Sequence, residues 1–362
     1  MSTHGDAPPA GPPDPLEVGA RVAELLATGR RASTYKIAVL TALVQHCLEH
    51  PAAPGAALRV PIEDLAERVV ELYWPQVRPF ARAGVLRQNE QDGRSLPDAV
   101  RELRTAAEAA GLSTPAQLRA ADPARSAHAR REIARTLAQQ PLFALQRTGT
   151  TAPGTPFLYD DTWLRRKVTV AELDAHDWSI ELRPGIAAAL VRVAGLLQPV
   201  LQQWWVDDVR RMNATELDDP GLHGFLFGAD RTDLTPVRRP LADLQRGRCF
   251  YCGERLREAV HVDHVLPWSR VAVDGLVNLV AADARCNLAK SATLPAVEHV
   301  ERALQRDDLD ALAGPLRWPL ERERVTGAAA SLYGTSPAGT PLWRAPGVFD
   351  LLRPGDGARF AA

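Results

Sequence analysis

The stretch RCFYCGERLREAVHVDHVLPWSRVAVDGLVNLVAADARCNLAKSATL, residues 248–294, decides the fold of the C-terminal part of this chain. It opens with a Cys-x-x-Cys pair, Cys249 and Cys252, and a third cysteine, Cys286, follows much later. A structural zinc ion takes four tetrahedral ligands, and cysteine thiolates are common among them. The spacing therefore predicts a structural zinc site with one further ligand.

Asp283 is the first candidate for that ligand. It stands three residues before Cys286, where a second Cys-x-x-Cys pair would have its first cysteine. A carboxylate can bind zinc, but an aspartate at this position can equally cap the helix that begins there. Both interpretations stay open. His261 and His299 are weaker candidates, because a histidine beside such a site is more often a packing or phosphate-contact residue.

The same stretch predicts the order strand, loop, strand, helix. Val262-Asp263-His264-Val265 lies on the first strand, Asp274-Gly275 in the loop, and Asn278-Leu279-Val280 at the second strand. Cys286-Asn287 and Lys290 follow on the helix. Neighbours on a strand point to opposite faces, so Asp263 and His264 can serve different tasks.

These residues suit phosphodiester hydrolysis, which needs a base to activate water and a cation to neutralise developing charge. An imidazole with an ordinary pKa near 6.5 is a proton acceptor at neutral pH, and His264 supplies one. Hard divalent cations prefer oxygen ligands such as the Asp263 carboxylate and the Asn287 amide. The stretch thus contains both parts.

This stretch resembles an HNH endonuclease domain with the ββα-metal fold. The resemblance rests on the order and spacing of four motifs, which are the Cys249–Cys252 pair (the zinc knuckle), Asp263-His264, Asn278 and Cys286-Asn287-x-x-Lys290. The resemblance implies that His264 is the general base and that Asp263 and Asn287 hold Mg²⁺ or Mn²⁺. It further implies that Asn278 orders the loop and that Lys290 contacts phosphate. Zinc on Cys249, Cys252, Asp283 and Cys286 would be structural. Many zinc-bearing members of the family have a cysteine at the position of Asp283, so this chain differs from them there.

A nuclease needs cations along its substrate backbone. Basic residues modestly outnumber acidic ones between positions 231 and 290, and we predict nucleic-acid contacts for Arg270, Arg248 and Arg285.

By family habit the expected substrate is double-stranded DNA, in a bacterial defence or restriction role. The alternative is a non-catalytic, zinc-stabilised protein that binds nucleic acid or has a regulatory role. The function of such a protein would tolerate loss of His264. Tyr251 and Trp268 are expected to pack rather than stack on bases.

The whole chain has the composition of an ordinary globular protein, with 362 residues, 46% hydrophobic residues and a net charge of -1. Four cysteines are too few for a disulfide scaffold, and no signal peptide or membrane-length apolar run is apparent. The predicted location is therefore the cytoplasm, without a membrane partner.

The predicted fold class is α+β and predominantly helical, with a helical N-terminal region and a C-terminal ββα-metal domain. The predicted divisions are a disordered tail at 1–15, a helical domain at 16–140, a mixed segment with a long helix at 141–235, the HNH domain at 236–300, and a C-terminal helix with a Gly/Pro-rich tail at 301–362. The N-terminal region is a candidate site for a regulatory or defence partner.

Hydrophobic periodicity and capping residues predict helices along the whole chain. They are expected at 35–48 after a cap at Ser33 or Thr34, after Pro61, and at 95–110, 114–121, 123–138, 185–213 and 296–313. Short strands are expected at 157–159, 168–170 and 178–182. Cys47 is expected in the core, and Trp343 and Phe349 are candidates to dock on the domain.

Overall fold

The computed structural model describes residues 12–27, 31–53, 55–80, 83–90, 95–147, 156–213, 221–228, 233–257 and 259–360. It is mostly helical, with small two-stranded sheets, as the sequence predicts. Most of the predicted tail at 1–15 lies outside these ranges. The helices are α1 Pro15–Ala27, α2 Tyr35–Glu49, α3 Ile62–Tyr73, α4 Leu96–Ala109, α5 Pro115–Ala121, α6 Pro123–Leu137, α7 Val170–Ala175, α8 Ile186–Met212, α9 Leu222–Phe227, α10 Thr235–Leu244, α11 Ala284–Lys290, α12 Val297–Leu304, α13 Asp310–Leu316 and α14 Arg322–Thr335.

The strands form antiparallel pairs. Their bounds are β1 Leu58–Pro61, β2 Ser179–Leu182, β3 Val260–His264, β4 Leu279–Asp283, β5 Pro341–Ala345 and β6 Val348–Leu351. β1 pairs with β2, β3 with β4, and β5 with β6. β2 lies within the predicted strand 178–182, whereas its partner β1 was not predicted.

Helix α2 is the centre of the N-terminal region. It is buried along its whole length, including Cys47, and packs against α3, α8 and α14. A helix that is apolar on all sides belongs in the interior, which explains its position. Thr34 precedes α2 without capping it, because its hydroxyl pairs instead with the Tyr73 hydroxyl at 2.6 Å.

Side-chain caps explain where several helices begin and why one strand prediction was wrong. Ser95 with Asp98, and Thr114 with Gln117, form reciprocal capping boxes at α4 and α5. Thr169 and Glu172 do the same at α7, so residues 168–170 enter a helix instead of a strand. Residues 157–159 form only a single bridge, from Tyr159 to Leu182.

Helix α8 has 27 residues and is apolar enough to cross a membrane by length and composition, contrary to the sequence expectation. Half of its most apolar window is buried inside the protein. It packs against α1 and α2, and residues such as Leu190 and Val193 are buried there. This packing is also typical of a core helix. The bounds of α8 agree with the helix predicted at 185–213 to within one residue at each end.

The chain after residue 300 forms more regular structure than predicted. The single helix expected at 296–313 is divided into α12 and α13, and the predicted Gly/Pro-rich tail contains α14 and the β5–β6 hairpin. A Cβ atom on Gly327 would lie 1.8 Å from the Glu49 carbonyl oxygen. Glycine at this position therefore lets α14 approach the end of α2.

A buried ionic network joins α14 to the N-terminal helices. Arg324 contacts carboxylate oxygens of Glu49 at 2.9 Å, Glu71 at 3.1 Å and Glu321 at 2.8 Å. Arg68 contacts Glu49 at 2.6 Å on the same side. Each buried charge is thus paired, and removal of one partner would leave another uncompensated.

Candidate active site and metal cluster

The hairpin of β3 and β4 with α11 forms the ββα unit. His264 stands opposite Leu279 in the antiparallel register, and α11 begins immediately after β4. Asp283 ends the strand and caps the helix by accepting a 2.8 Å hydrogen bond from the Cys286 amide. The strand residues and the helix residues of the predicted site are therefore brought together by a tight strand-to-helix junction.

Asn278 fixes the loop between the two strands. It is fully buried, and its Oδ1 accepts a hydrogen bond from the Leu266 amide at 2.8 Å. Its Nδ2 donates to the carbonyl oxygens of Leu266 and Val273, at 3.2 and 3.0 Å. These bonds tie the two ends of the loop and satisfy a buried amide. They are the contacts expected of a loop-ordering residue.

His264 is held by a loop carboxylate that the sequence analysis did not single out. Its Nε2 lies 2.6 Å from Asp274 Oδ1. The Asp274 carbonyl in turn accepts a 2.7 Å hydrogen bond from Trp318 Nε1. Sequence position alone gives little signal for this pair, because the nine residues between His264 and Asp274 form an irregular loop. An Asp-Gly turn between two predicted strands was the only available hint.

The other face of β3 packs on α11. His261 and Asp263 share that face, and the Asp263 carboxylate accepts a 2.6 Å hydrogen bond from the Tyr251 hydroxyl at Oδ2. Lys290 Nζ lies 3.0 Å from the same oxygen. Both donors lie closest to Oδ2, and Oδ1 receives only a longer contact of 3.4 Å from Lys290 Nζ, so Oδ1 is the less engaged ligand atom of Asp263.

Asn287 lies on the same interface. Its Nδ2 is 3.1 Å from His261 Nδ1, and its Oδ1 has no hydrogen-bond partner among the described residues. The interface thus places a carboxylate oxygen and an amide oxygen on one side of the unit. These are donors that a hard divalent cation accepts, so the residues present fit a magnesium or manganese ion.

Lys290 requires a correction, because it cannot contact phosphate where it stands. Its side chain is 0% exposed, and its Nζ donates a 2.7 Å hydrogen bond to the His264 carbonyl oxygen besides pairing with Asp263. Burial lowers the pKa of Lys290, although the Asp263 carboxylate acts in the opposite direction. Lys290 is a buried residue that links α11 to the end of β3 through these two contacts.

Replacement of Lys290 by methionine should lower the free energy of unfolding by about 3–5 kcal/mol, because it leaves the Asp263 carboxylate in a mostly buried place without its cation. Urea unfolding of the full chain measures this change. Arg270→Met is the matched control on an exposed residue, and a change within about 0.5 kcal/mol is expected there. Wild-type stability with weaker DNA binding in Lys290→Met would restore the phosphate-contact assignment.

Four predicted zinc ligands form one cluster. Ligand atoms of Cys249, Cys252, Asp283 and Cys286 all lie within 4.8 Å of one another, which fits a single tetrahedral ion. Cys252 Sγ is 3.1 Å from Asp283 Oδ2, while Oδ1 of the same carboxylate caps α11. The two interpretations of Asp283 are therefore compatible, since each oxygen serves one of them.

Without a metal, the cluster combines protonated thiols with an ionised carboxylate. Burial raises the pKa of Cys249 to about 11 and also raises that of Cys286. Burial acts in the same direction on Asp283, but hydrogen bonds from the Cys286 amide and the thiols hold its pKa below the usual value. When a divalent metal binds to such a group, the thiols lose their protons and become thiolate ligands.

The two histidines considered as zinc ligands lie elsewhere. His261 is engaged with Asn287. His299 Nε2 donates a 2.8 Å hydrogen bond to the Arg344 carbonyl oxygen, and its ring packs edge to face against Tyr251. Trp343 completes this aromatic group and is fully buried, whereas Phe349 is exposed. Tyr251 therefore packs as predicted, and its hydroxyl on Asp263 is the part that sequence reasoning missed.

The three arginines predicted to contact nucleic acid are all exposed. Arg248 lies beside the knuckle, where Nη1 donates to the Gly253 carbonyl at 2.9 Å, and Arg285 lies in the first turn of α11. Arg270 lies in the loop after β3. Their contact with a substrate stays a prediction.

Comparisons with known families agree with this geometry. A family model described as HNH endonuclease matches residues 249–296, so the ββα unit and its knuckle form an HNH endonuclease domain. A second model, described as a domain of unknown function, DUF8808, matches residues 16–226. Because that match covers more than half of the chain, the protein belongs to the DUF8808 family. No match was found among curated proteins or solved structures.

Proposed function

We propose that this protein is a metal-dependent endonuclease that hydrolyses phosphodiester bonds in double-stranded DNA. The observation that carries the proposal is the arrangement around β3 of an HNH domain. His264 is paired with Asp274 beyond the end of the strand, while Asp263 and Asn287 lie on the face packed against α11. β3 thus carries the base and one oxygen ligand, and α11, packed against it, carries the second oxygen ligand, Asn287.

His264 is the general base in this proposal, and Asp274 is its positioning residue. A hydrogen bond from Nε2–H to the Asp274 carboxylate leaves the lone pair on Nδ1, which can take a proton from water. The bond also limits rotation of the ring. Lys290 holds the backbone carbonyl of His264, so both ends of the residue are fixed before substrate arrives.

Asp263 Oδ1 and Asn287 Oδ1 are the atoms we assign to Mg²⁺ or Mn²⁺. Such an ion supplies charge neutralisation at the phosphate. Tyr251 and Lys290 both hold Asp263 Oδ2, and this fixes the direction in which Oδ1 points. The exposed Arg270, Arg248 and Arg285 would bind the backbone of the substrate.

The biological setting belongs to the same proposal. The reduced thiols of the cysteine cluster suit the cytoplasm. We propose a defence or restriction role in which the DUF8808 region receives a regulatory partner or signal.

The test is cleavage of supercoiled plasmid by the purified full chain, beside single-stranded DNA and RNA. We expect nicked and linear plasmid only when magnesium or manganese is present, and no product with EDTA. The non-catalytic module is the competing function. It would be favoured if zinc-loaded protein bound nucleic acid but cleaved none of these substrates with either metal.

A further inference from the structure

A second group of metal-ligand side chains lies in the DUF8808 region, away from the cysteine cluster. His46 and His50 stand one helical turn apart at the end of α2, and Asp64 lies in the first turn of α3. Ligand atoms of the three residues all lie within 4.8 Å of one another. Two imidazoles and a carboxylate form a donor set that suits zinc and neighbouring first-row metals.

His46 presents a buried nitrogen without a partner. Its side chain is 2% exposed, and Nδ1 has no hydrogen bond in the described structure. The nearest acidic atom, Asp64 Oδ2, is 3.8 Å away. That distance is too long for a hydrogen bond but shorter than two successive bonds to zinc of about 2.0–2.2 Å each. The gap therefore has the span that one bridging ion requires.

His50 has the backbone contact that metal-binding histidines commonly make. Its Nδ1 lies 3.0 Å from the His46 carbonyl oxygen, and a hydrogen bond there leaves the lone pair on Nε2. The rings of His46 and His50 are stacked, with centroids 4.0 Å apart and planes at 18°. The stacking keeps the two imidazoles side by side, and one ligand atom of each already lies within 4.8 Å of the other and of Asp64.

The surrounding charges do not oppose a cation. Arg68 and Arg130 are the arginines whose charges act on this group. Arg68 contacts Glu49 at 2.6 Å and Glu71 at 2.8 Å, and Arg130 contacts Glu63 at 3.2 Å and Glu67 at 3.4 Å, so both charges are compensated. The Asp64 side chain is 43% exposed, which gives an ion a route from solvent. The arginine charges near the three side chains are thus balanced by acidic residues, and the group is open to solvent at Asp64.

We propose that His46, His50 and Asp64 bind a zinc ion, with water as the remaining ligand. The ion would join the end of α2 to the start of α3, across the chain segment that contains β1. This corner also holds Glu49, the residue that pairs with Arg68 and Arg324. The proposal concerns the link that the ion makes between α2 and α3, and it does not depend on the proposed nuclease activity.

The experiment counts zinc per chain after chelation of the full-length protein and reloading with zinc alone. We expect two ions in wild type and one in the double variant His46→Gln/His50→Gln. His128→Gln, an exposed histidine on α6, is the matched control and should keep two. Asp64→Asn, at a half-exposed position, should also lose one ion while leaving the core untouched, so a folding defect in the double variant cannot hide the result.

Cobalt substitution separates the two sites spectroscopically. Cobalt in the cysteine cluster gives strong thiolate charge-transfer absorption, whereas cobalt on two histidines and an aspartate does not. Removal of the second site should lower cobalt stoichiometry without changing the thiolate bands. The proposal is overturned if wild type holds a single ion, or if folded Asp64→Asn and the double variant keep the wild-type content.

Discussion

Replacement of His264 by alanine should lower the rate of plasmid cleavage by about 10²–10⁴-fold, the usual contribution of a positioned general base. The reason is the loss of the only imidazole that is paired with Asp274 on the loop side of β3 among the described residues. Single-turnover cleavage with magnesium measures the rate. Zinc content and thermal unfolding should stay near those of wild type, because His264 is not in the cysteine cluster.

Two further variants test how His264 is positioned. Asp274→Asn should lower the rate less than His264→Ala, because the amide can still contact the ring but lacks the carboxylate charge. His128→Ala, on the exposed side of α6, should cleave at the wild-type rate. Undiminished cleavage by folded His264→Ala would remove the base assignment, and with it the mechanism proposed above.

Replacement of Cys286 by serine should abolish zinc binding in the cysteine cluster and unfold the HNH domain. Zinc binding in small domains contributes about 10–16 kcal/mol of folding free energy in peptide systems, so loss of a ligand has a large effect. Cys286 also lies in the first turn of α11, which carries Asn287. Zinc analysis and hydrogen exchange over residues 249–296 measure the two outcomes, and cleavage should disappear with them.

The controls separate zinc from general damage. Cys47→Ala removes a buried thiol from α2 and should leave the HNH domain and its zinc unchanged. Asp283→Asn keeps a side chain that can cap α11 but removes a charged zinc ligand. We expect weaker zinc binding with α11 retained. A Cys286→Ser protein with full zinc content and protected amides would show that the cluster needs no metal on this thiol.

The HNH domain was predictable because its signals are local. Cys249, Asp263, Asn278 and Asn287 follow one another within a short stretch, and each residue type has a distinct chemical task. Lys290 was misplaced for the same reason. A charged residue near a catalytic motif suggests a contact with substrate. Lys290 is instead buried against Asp263, because of the way that α11 packs on β3. Sequence spacing contains no measure of that packing.

The elements that support the site were harder to predict, because their signals depend on contacts far apart in the chain. Residues 322–335 are rich in glycine and alanine, a composition typical of a tail. They form α14 because small residues such as Gly327 allow the helix to lie against the end of α2. Asp274 had no visible role until Trp318 and His264 were placed beside it.

Arg324 has a consequence for how this protein can be divided or recombined. Its guanidinium joins acidic residues of α2 and α3, and Nη2 also lies 3.5 Å from the Ala272 carbonyl in the loop that carries Asp274. Gly275 lies against the Leu320 carbonyl, where a Cβ atom would be 2.5 Å away. A fragment cut at the edges of the HNH match would lack this support. A transplanted nuclease module therefore needs residues up to α14, together with the acidic surface on which Arg324 rests.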